Sequence, residues 1–342
     1  MTSSHQTRPG PAIVTRGLTR HFTRKKATVE AVRGLDLEIG RGELVAFLGP
    51  NGAGKSTTLR MLTTLIPPTA GSAEVEGCDV VRDQRDVRRH IGYVGQGNGA
   101  GQQQRGRDEL VSQGRAYGLS RSEARSRADR LVAELDLTEV ADRVVSTLSG
   151  GQRRRLDVAL GLVHDPGLLF LDEPSTGLDP QNRVNLQEQI RRLHAERGTT
   201  IVLTTHYLEE ADALAERVIV IDHGLVIADD TAARLKSSLG DRITMTFGDP
   251  GQARLAAERT GRRRDATVSR DGSVVRLRMP HGSEQAAWIV TDLAEVGAPV
   301  QRLEVVGPTL DDVFLDLTGR SLRESASADT STDDSTLEGV AA

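Results

Sequence analysis

The run Gly49, Pro50, Asn51, Gly52, Ala53, Gly54, Lys55, Ser56 and Thr57 constrains this chain more than any other stretch. It follows Glu43-Leu-Val-Ala-Phe-Leu48, a short apolar run that predicts a buried strand. It precedes Leu59-Arg-Met-Leu-Thr-Thr-Leu65, whose spacing predicts a helix. Gly49-x4-Gly54-Lys55-Ser56 is the P-loop spacing in the strand–loop–helix setting that it requires. Glycines let backbone N–H groups curl around phosphate oxygens, and the helix N-terminus favours negative charge. Lys55 is placed to reach β- and γ-phosphates, and the Ser56 hydroxyl to ligate Mg²⁺.

The chain has 342 residues, enough for two domains and for a core without staples. Its one cysteine, Cys78, excludes an internal disulfide framework, fits a reducing compartment and is assigned no role. A net charge of −4 gives no bulk case for nucleic-acid binding. Lysine occurs only at 25, 26, 55 and 236, so Lys55 stands out among arginines, which do not replace a compact ammonium. Residues 1–12 are polar, carry Pro and Gly, and read as a disordered tail without a signal-peptide core. No stretch approaches roughly 18 consecutive apolar residues, so any membrane-spanning part must come from another chain.

Alternation over Ile13–Ile39 predicts strands of a small antiparallel sheet, with a turn at Arg24–Thr28 and a further strand pair around Gly77. Asp83–Arg89 reads as a short helix, Ile91–Gln96 as a strand, 97–107 as a Gly/Gln-rich loop, and Glu109–Leu137 as one helical region. The arginines of 121–130 read as a solvated face. Leu156, Leu160 and Val163 mark a helix after Gly150-Gly151. Leu168–Leu171 is a buried-strand run, Val184–Glu196 a helix, Thr200–Thr204 a strand and Leu208–Ala215 a helix. Val218–Ile221 and Leu225–Ile227 flank Asp222-His-Gly as a hairpin. This alternation implies a largely parallel sheet. After Ser238–Asp241 the pattern becomes βαββαβ, the ferredoxin-like order, ending at Val306. Trp288, the only tryptophan, is expected at the edge of that core rather than as a stacking surface. Residues 321–342 read as a disordered Ser/Thr/Asp-rich tail.

Leu168-Leu-Phe-Leu-Asp-Glu173 is an apolar strand ending in two carboxylates. Asp172 suits a water-bridged contact to Mg²⁺, and Glu173 suits a general base polarising the attacking water. Leu148-Ser-Gly-Gly-Gln152 opens a helix, so Ser149, Gly150 and Gly151 offer a second anion-binding helix end. Two such ends in one fold make sense if one of them serves a nucleotide on another subunit.

Gly49–Thr57, Gln96, Leu148–Gln152, Leu168–Glu173, Ser175–Asp179 and His206 together resemble the ATP-binding subunit of an ABC transporter. They match its Walker A, Q-loop, signature, Walker B, D-loop and switch-histidine elements in order, over roughly residues 13–235. The resemblance implies an α/β P-loop ABC ATPase with a RecA-like core, an antiparallel β-subdomain and an α-helical subdomain. It implies a head-to-tail dimer with ATP between one copy's Lys55 and the other's Ser149, Gly150, Gly151 and Gln152. It makes Glu173 the base, puts His206 on the γ-phosphate, gives Gln96 a place by the metal with Ser56 and Asp172, and places Asp179 at the dimer interface. Phe22 stands about where the family stacks an aromatic on adenine, with His21 a neighbouring candidate and a core role for Phe22 equally open.

Gln152–Asp157, Thr204–Asp212 and Pro308-Thr-Leu-Asp-Asp-Val-Phe-Leu315 resemble exporter ATPases of the daunorubicin-resistance type, which pair with a separate permease. Arg153–Arg155 then belong to the signature helix rather than to a nucleic-acid patch. The implied organisation is an ATP-binding domain at 13–235 and an accessory α+β domain at 236–320, acting at the cytoplasmic face of the membrane. Gln104-Arg105 depart from the family, which carries an apolar residue and Thr before the segment matching Gly106–Leu110; that region would face the permease. A ligand-sensing regulatory ATPase and an ATPase acting on ribosomes or DNA are the competing readings.

Overall fold

The Leu44–Leu48 strand lies inside a six-stranded sheet. A computed structural model describes residues 10–24, 27–97 and 99–319. The spatial order of that sheet is Leu225–Asp230, Arg217–Asp222, Leu44–Leu48, Thr200–Thr205, Leu168–Asp172, Ile91–Val94. From Arg217–Asp222 to Ile91–Val94 all neighbours are parallel. Strands covered on both faces lose the apolar/polar alternation, and Leu44–Leu48, Leu168–Asp172 and Thr200–Thr205 are buried throughout. The turn between the first two strands of that order is His223-Gly224, with φ of 47° and 76°, as a two-residue type I′ hairpin demands.

A second sheet runs Ala27–Ile39, Ile13–Arg24, Ala70–Val75, Cys78–Asp79, with antiparallel pairing throughout. Its Ile13, Leu18 and Leu35 share one core with Phe47, Phe170 and Val202 of the parallel sheet and with Leu59 and Met61 of the helix Lys55–Leu62. That packing presses the hairpin against the P-loop. Ala12, assigned from sequence to the tail, is buried and donates its N–H to Ile39 O at 2.8 Å. Residues 1–9 of that expectation and the tail at 321–342 lie outside the described residues, as do Lys25 and Lys26 of the expected turn.

The helical region read as Glu109–Leu137 is two helices, Gly106–Ala116 and Arg121–Glu134. Gly118 at φ 90° breaks the run, and Ser120 restarts it through a reciprocal capping box with Glu123. The helix after Ser149 spans Gly150–Leu162, and the one after Asp179 spans Pro180–Arg197, with Pro180 in its first turn.

The chain divides between Asp229 and Asp230, earlier than the boundary placed after residue 235. The helix Ala232–Ser237, absent from the sequence reading, packs on Leu310–Thr318, also absent, within the C-terminal unit. Between them come the expected four strands and two helices. The sheet order is Thr267–Asp271, Val274–Met279, Asp241–Thr246, Arg302–Val306, antiparallel at every pair. Ile243, Met245 and Leu277 pack with Ala253, Ala256, Ile289 and Leu293 of the helices Pro250–Thr260 and Gly282–Glu295. Trp288 is no core residue: it is 57% exposed, with the Arg263 guanidinium 5.3 Å from its ring centroid. The buried face of that helix belongs to Ala286, Ile289 and Leu293.

Candidate nucleotide site

The P-loop leaves the end of Leu44–Leu48 and turns so tightly that two of its glycines admit no side chain. A Cβ on Gly49 would sit 2.1 Å from Ile221 O, and one on Gly54 would sit 2.4 Å from Ala31 O. Gly54 also has φ of 103°, which L-residues rarely adopt. It caps Lys55–Leu62 without any side-chain hydrogen bond, so the first N–H groups of that helix have no side-chain cap. Lys55 is buried, and its Nζ donates to Gly49 O at 2.7 Å and Pro50 O at 2.8 Å. Burial pulls its ammonium down to about 8, partly offset by the charges of Glu173 and Asp172.

Ser56 Oγ donates to Asp172 Oδ1 at 2.7 Å, and Thr204 Oγ1 donates to the same oxygen at 2.7 Å. Gln96 Nε2 donates to Ser56 Oγ at 3.3 Å. Sequence-distant segments therefore meet at the carboxyl ends of adjacent parallel strands, where open α/β sheets bind ligands. Asp172 is fully buried, and its Oδ2 has no hydrogen-bond partner. An orphaned carboxylate oxygen beside a serine hydroxyl is a donor set that fits a hard divalent cation such as Mg²⁺. Among the described residues no three His, Cys, Asp or Glu form a metal cage; magnesium, held largely by water and phosphate, needs none.

Glu173 follows with φ of 47°, in the left-handed region. Its N–H donates to Thr204 Oγ1 at 2.9 Å, and its Oε2 lies 3.4 Å from His206 Nδ1 and accepts from Thr176 Oγ1 at 3.1 Å. Burial pushes this carboxyl up, but His206, with Lys55 and Thr176, outweighs burial and holds it below the usual carboxylate range. An ionised carboxylate beside the lysine is the state a general base needs.

The signature segment lies elsewhere. Ser149 Oγ accepts from Gln152 N at 3.3 Å, and Ser149 N donates to Gln152 Oε1 at 3.0 Å, a closed capping box. A Cβ on Gly151 would meet Asn182 Oδ1 at 2.3 Å. Asn182 in turn is held by Asp179, whose carboxylate accepts its N–H at 2.9 Å and its Nδ2 at 2.6 Å. Asp179 is thus the cap of its own helix. Gly150, Gly151 and the box are not hydrogen-bonded to Lys55, Ser56, Asp172 or Glu173 among the described residues. Phe22 lies outside the core, 39% exposed, with the Arg20 guanidinium 4.7 Å from its ring centroid; His21 pairs with Glu30 at 3.7 Å.

Sequence reasoning put Arg154 on the signature helix but gave it no part in the site. Only 8% exposed, it donates to Pro174 O (2.8 Å), Gly95 O (2.6 Å), Asp172 O (3.1 Å) and Glu173 O (3.4 Å). The signal was available: Gly151, Arg154 and Val158 fall on one buried helix stripe, where an arginine must find partners.

A P-loop on a parallel sheet, with a carboxylate pair and a histidine at the neighbouring strand ends, defines a nucleoside-triphosphate hydrolase. A family model described as ABC transporter matches residues 32–176. A daunorubicin resistance ATP-binding protein of Streptomyces coeruleorubidus is 42% identical over 321 residues, 92% of this chain and 99% of that one. A linearmycin resistance ATP-binding protein of Bacillus subtilis is 34% identical over 296 residues, 86% of this chain and 95% of that one. A solved ATP-binding cassette, captured as a dimer in a post-hydrolysis state with ADP and Pi, is 26% identical with a TM-score of 0.59, covering 64% of this chain and 98% of that one. The chain belongs to the ATP-binding proteins of ABC transporters and is an ATPase. Among the described residues no helix is long and apolar enough to cross a membrane.

Proposed function

We propose that this ATPase powers export of a drug-like or hydrophobic small molecule through a separate multi-span permease, at the cytoplasmic face of a membrane. The observation that carries the chemistry is the line of contacts Ser56–Asp172–Thr204 and Glu173–His206 across adjacent strand ends. Lys55 exchanges the Gly49 and Pro50 carbonyls for β- and γ-phosphate oxygens, and the backbone of Gly49–Thr57 wraps the phosphates. Ser56, Gln96 and Asp172 would hold Mg²⁺, which when bound would neutralise phosphate charge. Glu173 accepts a proton from the attacking water, while His206 bonds the γ-phosphate. Positioning and charge neutralisation supply most of the catalysis in phosphoryl transfer.

A second copy completes the site in head-to-tail fashion. Its Ser149–Gln152 covers the nucleotide, and Asp179 lies at the shared boundary. Support comes from the signature end, which makes no hydrogen bond to the chain's own P-loop side chains, and from the dimeric state of the solved cassette. Phe22 offers an exposed ring for adenine. The cargo class follows the resistance proteins of similar sequence. The permease is received by a groove of about 280 Å³ between the edge strand Ile91–Val94 and the helical segments, walled by Arg88, Tyr93, Glu109, Gln113 and Tyr117. Glu109 and Gln113 belong to the helix that follows the unusual Gln104-Arg105.

Glu173→Gln is expected to leave ATP affinity within about threefold and to lower turnover by roughly 100-fold or more, as loss of a general base does. ATP should then trap a dimer visible by size exclusion. Turnover at the wild-type rate would overturn the base assignment.

A further inference from the structure

We propose that Arg154 is a positioning residue for hydrolysis: from the signature helix it fixes the backbone that carries Glu173 and the segment that carries Gln96 in its own subunit. The inference rests on the reading of Glu173 as base. Its geometric basis is independent of that reading.

Arg154 meets four carbonyls with one guanidinium. Nε donates to Pro174 O, Nη1 to Gly95 O, and Nη2 to Asp172 O and Glu173 O. These acceptors bracket Glu173 on both sides and lie next to Gln96. A planar fork with five donors can span them; an ammonium is a point donor without that fixed spread. The backbone it braces needs bracing. Glu173 is a non-glycine residue in the left-handed region, a conformation that persists only where its surroundings over-determine it. Thr204 holds the Glu173 N–H, and Arg154 holds the carbonyls before, at and after it. One turn on, Asp157 Oδ1 accepts from Gly99 N and Ala100 N, both at 3.0 Å, so the helix grips the chain beyond Gln96 as well. The same helix begins at Ser149, whose end serves the partner's nucleotide in the proposed dimer. The base of one site and the clasp of the other are therefore parts of one rigid piece, joined at Arg154.

The test compares wild-type, Arg154→Gln and Arg154→Lys in the full chain, each with and without Glu173→Gln. Arg154→Gln is expected to lower kcat about 10- to 100-fold with KM for ATP within about threefold, because the bracing acts at the transition state. Arg154→Lys should recover part of kcat, and the thermal midpoint of Arg154→Gln, though lowered by the lost buried hydrogen bonds, should stay above the assay temperature. In the Glu173→Gln background, Arg154→Gln should cost nothing further in turnover, because both changes act on one group. ATP should still trap that double variant as a dimer. Wild-type kcat in Arg154→Gln, an equal fold-loss in both backgrounds, or KM rising in step with the loss of kcat would each overturn the proposal. If Arg154→Gln fails to fold, Arg154→Lys with wild-type kcat overturns it equally. A Glu173→Gln protein with normal turnover would instead break the base assignment alone.

Discussion

Two helices in the ATP-binding unit begin with glycine-rich turns, and they are built in opposite ways. Lys55–Leu62 starts at Gly54, in the left-handed region, with no side-chain cap. Gly150–Leu162 starts at Ser149, extended, with a reciprocal box through Gln152. A helix N-terminus leaves four N–H groups to be satisfied. The first helix leaves them for a ligand and buries a lysine beside them. The second closes its own cap within the single chain. In the proposed dimer, the first end binds a nucleotide within its own chain and the second meets the nucleotide of the other copy.

The largest effect that sharpens this contrast belongs to Lys55→Ala. Removing two or more charge-assisted hydrogen bonds to phosphate should weaken ATP binding by about 100-fold or more, read by calorimetry on the monomer. Ser149→Arg comes next. It should leave monomer ATP affinity within about threefold but cut turnover by roughly 30-fold or more if Ser149 acts across the proposed dimer. Equal losses of monomer binding in both variants would erase the distinction between the two ends.

The smallest effect is a pH dependence confined to the P-loop. Lys55 in the free protein titrates at about 8, below its ordinary 10.5. Below pH 8 it carries its charge and ATP affinity should be flat. Above it the free protein holds a neutral amine, binding must take up a proton, and affinity at pH 9 should lie about tenfold below its low-pH plateau. Calorimetry in two buffers of different ionisation enthalpy reads the uptake directly. Stability of the nucleotide-free protein moves the other way, rising between pH 8 and 10.5 as the buried charge is relieved. A pH-independent affinity across that window would mean that Lys55 is as solvated as an ordinary lysine.

Much of this was legible in the residues. Gly49 and Gly54 announce a tight loop because no other residue fits beside Ile221 O and Ala31 O. Leu168–Asp172 announces a buried strand because a sheet covered on both faces leaves no polar side. The βαββαβ pattern announced the C-terminal sheet by simple alternation, as in Val274–Met279. Two local signals went unread: Ser120-x-x-Glu123, which splits the helical region, and Thr309-x-x-Asp312, which starts the last helix. Trp288 was misplaced because a lone aromatic carries no periodicity of its own; its neighbour Ile289 takes the core position.

Chain order alone determined the loop, the strand carboxylates, the signature turn and the switch histidine, because each is a local pattern whose chemistry lies in a few consecutive residues. Folding decided what no local pattern carries: that Ser56 and Thr204 share one oxygen of Asp172, that Glu173 faces His206, and that Arg154 binds four carbonyls from two distant segments. Those are long-range contacts, set by strand order and by which helix packs on which strand end. The P-loop says that a phosphate can be held; the packing of neighbouring strand ends decides which side chains, Asp172, Glu173 and His206 among them, are gathered beside it.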